Sequence, residues 1–210
     1  MSGGVPPAAW DRAARHYDRQ LWLERSAVSA AVDLVAAKPD ERLLDIGTGT
    51  GEVLRQLARR DDRPRRATGI DSSPAMLARV PPLPPAWSVR LGDVRQLPFG
   101  DSEFDVATAS YVLHVLPPAD LAIALAELAR VLQPAGRLVT VTPAMPDRGV
   151  ARLLARGSDA LARRNPERYG GLRALDPRPA LQDAGFVLLH VRWSLRGYPS
   201  LLVLARSPTT

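Results

Sequence analysis

Residues 43–52 read Leu-Leu-Asp-Ile-Gly-Thr-Gly-Thr-Gly-Glu, and this stretch decides the fold. A short apolar run contains an acidic residue near its end, three glycines turn the chain, and a helical pattern begins at Glu52. Glycine tolerates positive φ and has no side chain, so a ligand can lie against the loop backbone. The start of a helix adds free N–H groups and the positive end of its dipole. The stretch therefore predicts a strand, a ligand-binding loop and a helix.

Strand-like and helix-like segments alternate from residue 40 onward. Strands are predicted at residues 42–46, 67–70, 87–91, 104–110 and 137–141. Helices are predicted at residues 52–60, 74–80 and 117–132, with Gln-Pro-Ala-Gly at 133–136 ending the last one. This alternation predicts an α/β fold, in which a Rossmann-like doubly wound sheet carries helices on both faces. Two further strands, at residues 186–193 and 201–206, are separated by too few residues for a crossover helix, so one of them must run antiparallel.

The glycine spacing separates two ligand classes. A dinucleotide-binding loop reads G-x-G-x-x-G, whereas residues 47–51 read G-x-G-x-G. Asp45, two residues ahead of the first glycine, would repel a pyrophosphate but would attract the sulfonium and amino groups of S-adenosylmethionine. The alternative role for Asp45 is to brace the loop or cap the helix. The spacing and the acid together favour S-adenosylmethionine.

Acidic residues also follow the next two predicted strands. Asp71 lies 26 residues after Asp45 and can accept hydrogen bonds from both ribose hydroxyls. Its alternative role is a turn or N-cap before Pro74. Asp93 can accept from the exocyclic amine of adenine while Val94 packs on the ring, and its alternative is an exposed loop carboxylate. Three acids after three consecutive strands favour one shared ligand.

These stretches, taken in order, resemble class I S-adenosylmethionine-dependent methyltransferases of the small-molecule type, close to the ubiquinone/menaquinone methyltransferase-like group. The matching segments are residues 44–51, 69–77, 92–99, 104–106 and 127–138. They cover about residues 40–142. The resemblance implies a seven-stranded sheet, mostly parallel, with the last strand antiparallel. One departure is Ala135, where the family usually has glycine, and we expect this difference to matter little.

The resemblance also implies a set of cofactor-binding residues. Residues around the glycine loop would line the methionine part, Asp71 would hold the ribose, and Ser110 would close over the sulfonium. Ser72 or Met76 would flank the adenine, whose edge Asp93 and Val94 would hold. The complete set for S-adenosylmethionine, and for its product S-adenosylhomocysteine, is Asp45, Gly47, Thr48, Gly49, Gly51, Asp71, Ser72, Met76, Gly92, Asp93, Val94 and Ser110.

Two residues are candidates for catalysis. His114 follows the fourth strand, and a neutral imidazole there could take a proton from the acceptor. Its alternative role is to tie the loop to a backbone carbonyl. Tyr17 belongs to an amphipathic pattern at residues 8–23, and the resemblance implies an N-terminal helix over the active site. Its alternative role is to pack that helix onto the sheet. No cluster of oxygen ligands follows the fourth strand, so no metal site is predicted.

The sequence predicts one domain over residues 1–210. It comprises an N-terminal helical lid (1–38), a cofactor-binding core (40–142), a substrate-lid insertion (143–182) and a C-terminal strand pair (183–210). The insertion is rich in arginine. It is interpreted as a lid helix, with binding of a phosphate, a carboxylate or an anionic membrane as the alternative.

Composition limits the location and the partners. The 210 residues include no cysteine, no apolar run of membrane-spanning length and no signal-peptide pattern, which favours the cytoplasm. A formal net charge of +6 could attract nucleic acid, but no recognition module is visible, so nucleic acid is not expected. Membrane-surface binding is not favoured. A monomer or a homodimer is expected.

The predicted function is methyl transfer from S-adenosylmethionine to a small-molecule acceptor at O, N or C, in secondary metabolism or in quinone- or lipid-type metabolism. One alternative is a phospholipid headgroup N-methyltransferase, which fits the positive net charge of the chain and its amphipathic N-terminal segment. Another is a non-catalytic S-adenosylmethionine-binding protein. A nicotinamide-dependent reductase is a third, which the glycine spacing disfavours.

Overall fold

One mixed sheet organises the chain. The computed structural model describes residues 17–145 and 173–209. Its strands are β1 (Arg42–Ile46), β2 (Arg66–Asp71), β3 (Trp87–Leu91), β4 (Phe104–Ser110), β5 (Leu132–Pro143), β6 (Val187–Ser194) and β7 (Ser200–Arg206). They lie in the order β3-β2-β1-β4-β5-β7-β6, and only the pairings of β7 are antiparallel. This confirms the predicted seven-stranded Rossmann-like sheet with an antiparallel last strand.

Helices cover both faces of the sheet. They are α1 (Tyr17–Val35), α2 (Glu52–Ala58), α3 (Pro74–Leu77), α4 (Pro118–Val131) and α5 (Arg178–Asp183), with a short 3-10 turn at Leu113–Val115. The buried leucines of α4 pack on one face of the sheet, and the buried alanines and valines of α1 pack on the other with α2. The apolar spacing read in residues 117–132 is therefore the buried stripe of α4.

Two predicted boundaries are wrong. The helix expected at residues 74–80 ends at Leu77, where hydrogen-bonded turns replace it. Residues 133–136, expected only to end a helix, belong to a long β5 that begins at Leu132. The register between β4 and β5 shifts between Phe104 and Val106, and Ala135 takes a left-handed φ of 60° there. Bonds from Ser207 to the carbonyls of Gln133 and Gly136 hold this irregular segment against the sheet.

The two predicted lids fall partly outside the described residues. Of the N-terminal lid, α1 is described and packs against α2, β4, β5 and β7. Of the insertion, residues 146–172 lie outside the described part, and with them the arginine-rich helix expected there. Within residues 17–145 and 173–209, no helix has the length and apolar character needed to cross a bilayer.

Candidate functional site

A cleft lies between α1, the start of α2 and the carboxyl ends of β1 and β4. Parallel strands bring their carboxyl ends to one edge of a sheet, which is where open α/β folds bind ligands. Four residues of the predicted site line this cleft: Asp45, Gly47, Thr48 and Ser110. Seven further lining residues were not predicted: Leu21, Glu24, Val28, Thr50, Glu52, Val53 and Tyr111.

Asp45 is held rigidly at the end of β1. It is 1% exposed and accepts hydrogen bonds from the hydroxyls of Thr48 (2.7 Å) and Thr108 (2.6 Å). Burial raises the pKa of its carboxyl to about 6, and the charge of Asp71 adds to this, although the two hydroxyl bonds act in the opposite direction. A cation in the cleft would favour the ionised carboxylate.

The glycine loop has the backbone that its sequence predicts. Gly47, Gly49 and Gly51 all have positive φ, between 55° and 80°. At Gly47 the loop also passes close to the segment after β4, because a Cβ there would lie 2.5 Å from the Cβ of Val112. Any side chain at Gly47 would therefore strain the backbone and displace Val112.

Asp71 fastens the glycine loop to the next helix. Its carboxylate accepts the backbone N–H of Gly49 (2.8 Å) and that of Ser73 (2.9 Å). Ser73 in turn caps α3 by accepting the N–H of Met76 (3.2 Å), so Ser73, not Ser72, is the cap. Ser72 is exposed beside Asp71, whereas Met76 is buried. The carboxylate thus has the turn role that the sequence left open, and a ribose would have to share its oxygens with these two N–H groups.

Asp93 is engaged by a neighbour that the sequence analysis missed. The guanidinium of Arg95 binds both carboxylate oxygens of Asp93 and also reaches Asp120 at 2.9 Å. This bond lowers the pKa of the Asp93 carboxyl, which stays ionised at neutral pH. Val94 is buried in the core, and a Cβ at Gly92 would collide with the side chain of Ile70. The Asp-x-Arg spacing was the available signal for the ion pair.

Ser110 ends β4 inside the cleft. Its Oγ is buried and has no hydrogen-bond partner among the residues that the structure describes. The next residue, Tyr111, has a φ of 55° and bonds through its hydroxyl to the Ser200 hydroxyl at 2.6 Å. A buried hydroxyl without a partner carries a desolvation cost that a polar ligand in the cleft would remove.

The two predicted catalytic residues differ in what the structure shows of them. His114 lies in the 3-10 turn, is 3% exposed and does not line the described cleft. Burial, with a smaller effect from the charge of Arg173, lowers the pKa of its imidazole to about 3. Its Nδ1 has no hydrogen-bond partner in the described part of the chain. Tyr17 is the first residue of α1, and its side chain lies outside the described ones.

The cleft carries negative charge in a chain whose net charge is +6. Three acids line it, Glu24, Asp45 and Glu52, and none of its described lining residues is basic. Glu52 is partly neutralised by Arg25 at 3.7 Å and by a close ion pair with Arg55. The remaining charge makes the cleft a site for a cation. Within residues 17–145 and 173–209, no group of three or more His, Asp or Glu side chains could hold a metal ion.

Glu24 and Tyr111 are the clearest omissions of the sequence analysis. Glu24 lies three residues after Leu21 and four before Val28, on the apolar stripe of α1. A carboxylate on a buried stripe was a readable signal. Tyr111 gave no such signal, because its place depends on the left-handed turn after β4.

Comparisons with known proteins identify relatives of this chain. Residues 44–140 match the family model described as "Methyltransferase domain". The chain is 32% identical over 203 residues to malonyl-(acyl-carrier protein) O-methyltransferase of Serratia marcescens, covering 95% of this chain and 74% of that protein. It is 36% identical to demethylmenaquinone methyltransferase of Beutenbergia cavernae, but spans only 54% of that protein's length. A transposon-encoded Streptomyces fradiae protein is 44% identical over 124 residues and is matched over 35% of its length.

Solved structures share the fold at lower identity. One is a putative methyltransferase described in complex with the Haloferax volcanii Trm112 methyltransferase activator, with a TM-score of 0.76 and 19% identity over 95% of this chain and 97% of that one. Another is 1,6-didemethyltoxoflavin-N1-methyltransferase of Burkholderia thailandensis, described with bound 1,6-didemethyltoxoflavin and S-adenosylhomocysteine. Its TM-score is 0.68 at 19% identity, over 97% of this chain and 91% of that one.

Proposed function

Since this chain belongs to the class I S-adenosylmethionine-dependent methyltransferases, we propose that it binds S-adenosylmethionine in the cleft and transfers the methyl group to a small-molecule acceptor at O, N or C. The family assignment follows from 32% identity to the Serratia enzyme, most of which the chain covers. The proposal adds the cofactor position, the roles of the residues and the class of acceptor.

The charge of the cleft is the observation that carries the proposal. S-adenosylmethionine brings a sulfonium and an ammonium group, and three acids without a basic lining residue attract both. A dinucleotide would bring a pyrophosphate, which the same acids would repel. The buried Ser110 hydroxyl, without a partner among the described residues, offers a polar contact at the end of β4. The residues present therefore fit the cofactor.

We assign each residue a role according to the strand that it follows. Asp45 and the loop at 47–51 hold the methionine part, and Asp71 holds the ribose while it keeps the loop in place. On the adenine side, the Asp93 carboxylate is oriented by Arg95, and Ser72 is exposed next to Asp71. Val94 and Met76 support this side from the core.

The cofactor supplies a methyl group that is already activated for in-line displacement. The chain positions the two reactants, and holding them in line can lower the activation barrier by about 7–11 kcal/mol. His114 has little support as a general base, because it is buried away from the described cleft and its lowered pKa makes the imidazole a weak proton acceptor. Tyr17 remains a proposed contact, since α1 forms one wall of the cleft.

The named relatives guide the choice of acceptors. Two of them are named for a malonyl thioester carrier and for a demethylated quinone. Carboxylates and hydroquinones are therefore the first compounds to screen. We propose a cytoplasmic reaction, supported by a sequence without cysteine, and a monomer or a homodimer.

Calorimetric titration tests the cofactor first. The purified chain is titrated with S-adenosylmethionine, S-adenosylhomocysteine and NADH, with Asp71→Ala as the control. We expect micromolar binding of both sulfur ligands, weakened at least tenfold in the variant, and no binding of NADH. If neither sulfur ligand binds a folded sample, the proposal is wrong.

A phospholipid headgroup as the acceptor is a second candidate, favoured by one surface. The side chain of Trp22 on α1 is 74% exposed, and that of Leu195 in the β6–β7 turn is 60% exposed. α1 and this turn meet where the backbone at Gly197 packs on Leu23. Co-sedimentation with vesicles of phosphatidylethanolamine and phosphatidylglycerol tests this candidate, and a wild-type chain that stays in the supernatant excludes it.

A further inference from the structure

We propose that the chain docks on anionic bilayers through the outer side of α1 and the β6–β7 turn. This docking surface consists of Trp22, Arg25, Arg192, Leu195 and Arg196. The inference concerns where the chain works rather than which molecule it methylates. It therefore goes beyond the proposed function, because docking requires neither bound cofactor nor a headgroup as the acceptor.

Two apolar side chains form the centre of the docking surface. Trp22 is 74% exposed and Leu195 is 60% exposed, more than any other large apolar side chain of the described residues. Their segments pack together, since the N–H of Tyr198 donates to the Leu23 carbonyl (3.4 Å). The backbone of Gly197 lies so close to the same carbonyl that a Cβ would overlap it. The fold thus joins two exposed apolar groups from distant parts of the chain, which is typical of a contact site.

Positive charge surrounds this apolar centre. Arg25 lies three residues after Trp22, on the same side of α1, and its side chain is 57% exposed although Glu52 lies 3.7 Å away. Arg196 is exposed in the turn itself. Arg192 is exposed on β6, and its partner on β7 packs in the core beneath α1, so Arg192 lies on the α1 side of the sheet. The docking surface is therefore both apolar and cationic.

Nearby acids do little to offset these arginines. Residues 184–210 include no aspartate and no glutamate. No ion pair joins Arg192 or Arg196 to another residue in the part of the chain that the structure describes. On α1, Glu24 is only 2% exposed, and Asp33 is paired with an arginine outside the docking surface. The docking surface therefore has the charge that complements an anionic partner.

The combination of groups selects a bilayer among anionic partners. The boundary of an anionic bilayer presents negative headgroups and apolar chains side by side, which matches arginines next to Trp22 and Leu195. A nucleic acid would pair with the arginines but would leave the two apolar side chains against a polar backbone. A second copy of the chain, related by a two-fold axis, would bring the same arginines face to face.

Docking would place the cofactor site close to the lipid. α1 turns Leu21 and Val28 toward the cleft, and it carries Trp22 and Arg25 on its outer side. One helix, about 10 Å across, separates the cleft from the docking surface. Docking would thus favour acceptors that are dissolved in the bilayer.

Co-sedimentation of the cofactor-free chain tests the apolar centre. We expect the wild type to bind vesicles of phosphatidylcholine and phosphatidylglycerol in equal parts at least about tenfold more tightly than vesicles of phosphatidylcholine alone. Trp22→Ser combined with Leu195→Ser should weaken binding about 10- to 100-fold. The matched control is Leu91→Ser, since Leu91 is 59% exposed on β3, at the opposite edge of the sheet. This control should bind like the wild type.

A second pair of variants tests the charge. Arg192→Gln combined with Arg196→Gln should weaken binding to the anionic vesicles about 10- to 30-fold and leave binding to phosphatidylcholine unchanged. Arg65→Gln combined with Arg66→Gln removes the same charge from exposed positions at the start of β2 and should have no such effect.

Other results overturn the proposal. These are a wild type that stays in the supernatant, equal binding to both kinds of vesicle, and equal weakening by the docking-surface and control variants. A dimer in light scattering that Trp22→Ser with Leu195→Ser abolishes would mean that the surface joins two copies. If a variant does not fold, the wild type still decides through its preference for anionic vesicles. Failure to bind S-adenosylhomocysteine would contradict the proposed function without changing these results.

Discussion

The backbone N–H of Gly49 donates a 2.8 Å hydrogen bond to the Asp71 carboxylate, so the loop after β1 is fastened to the end of β2. The other oxygen of the same carboxylate accepts the N–H of Ser73 at the start of α3. One side chain therefore fixes two segments that are proposed to contact the ribose and the adenine. Binding and local stability should change together when Asp71 is altered.

Asp71→Asn tests this coupling. The amide keeps one acceptor but turns an N–H toward one of the two backbone donors, so a partly buried hydrogen bond is lost. We expect a loss of about 1–3 kcal/mol in the free energy of unfolding, measured with urea. Binding of S-adenosylhomocysteine should weaken at least tenfold by calorimetry. The exposed Asp61→Asn is the control, and full stability together with weakened binding would mean that Asp71 serves the ligand alone.

Asp45 makes the stability of the chain depend on pH. Its pKa is about 6 in the folded state against an ordinary 3.8, so the folded state holds the proton more tightly than the unfolded state does. The stabilisation of the folded state that comes from the protonated Asp45 is fully present below about pH 4 and is lost as pH rises through about 6. The loss corresponds to about 3 kcal/mol at most. Asp45→Asn should therefore have a free energy of unfolding that falls less between pH 5 and 7 than that of the wild type.

A second variant tests whether the pKa of Asp45 responds to its hydrogen bonds in the expected direction. Thr108→Val removes a hydroxyl that stabilises the charged form of Asp45 (O···O 2.6 Å). Its pH-dependent loss of stability should therefore extend to higher pH than in the wild type, as measured by urea unfolding at half-unit pH steps. Superimposable pH profiles for the wild type, Asp45→Asn and Thr108→Val would contradict the raised pKa.

The parts of the site that the sequence predicted lie at strand ends. In a parallel sheet the carboxyl ends of consecutive strands share an edge, so the spacing of Asp45, Asp71 and Asp93 was enough to place them on one edge. Gly47 followed from the same rule, and Ser110 followed from the family resemblance. Strand alternation and the short connection before the last strand likewise predicted that one of the last two strands is antiparallel, and the family resemblance implied that it is β7.

The parts that could not be predicted depend on contacts distant in sequence. The apolar stripe of α1 indicated that Glu24 is buried, but Glu24 lines the cleft because α1 packs across β4, β5 and β7, which no local pattern encodes. The burial of His114 likewise depends on how the segment after β4 packs within the fold. β5 extends back to Leu132 because Phe104 pairs with Leu132, the last residue of the predicted helix, and Ser207 bonds to Gln133 in the predicted helix stop.

His114→Gln tests whether the imidazole is a buried neutral group. A folded pKa of about 3, below the ordinary 6.5, means that the unfolded state takes up the proton first as pH falls. Stability is therefore lost below about pH 6.5, by about 2 kcal/mol at pH 5. The variant should lack this loss when unfolding at pH 5 and 7.5 is compared. An imidazole Hε1 resonance that titrates between pH 5 and 8 and is absent from the variant would contradict burial.

Ala135→Gly should stabilise the chain, although the sequence alone suggested that this departure from the family would matter little. Ala135 has a φ of 60°, a left-handed conformation that costs a residue with a Cβ about 1–2 kcal/mol. Glycine removes that strain but loses more entropy on folding, so we expect a net gain of about 1 kcal/mol by urea unfolding. Ala126→Gly on the exposed side of α4 is the matched control and should cost about 1 kcal/mol. Equal destabilisation by both substitutions would show that β5 does not strain Ala135.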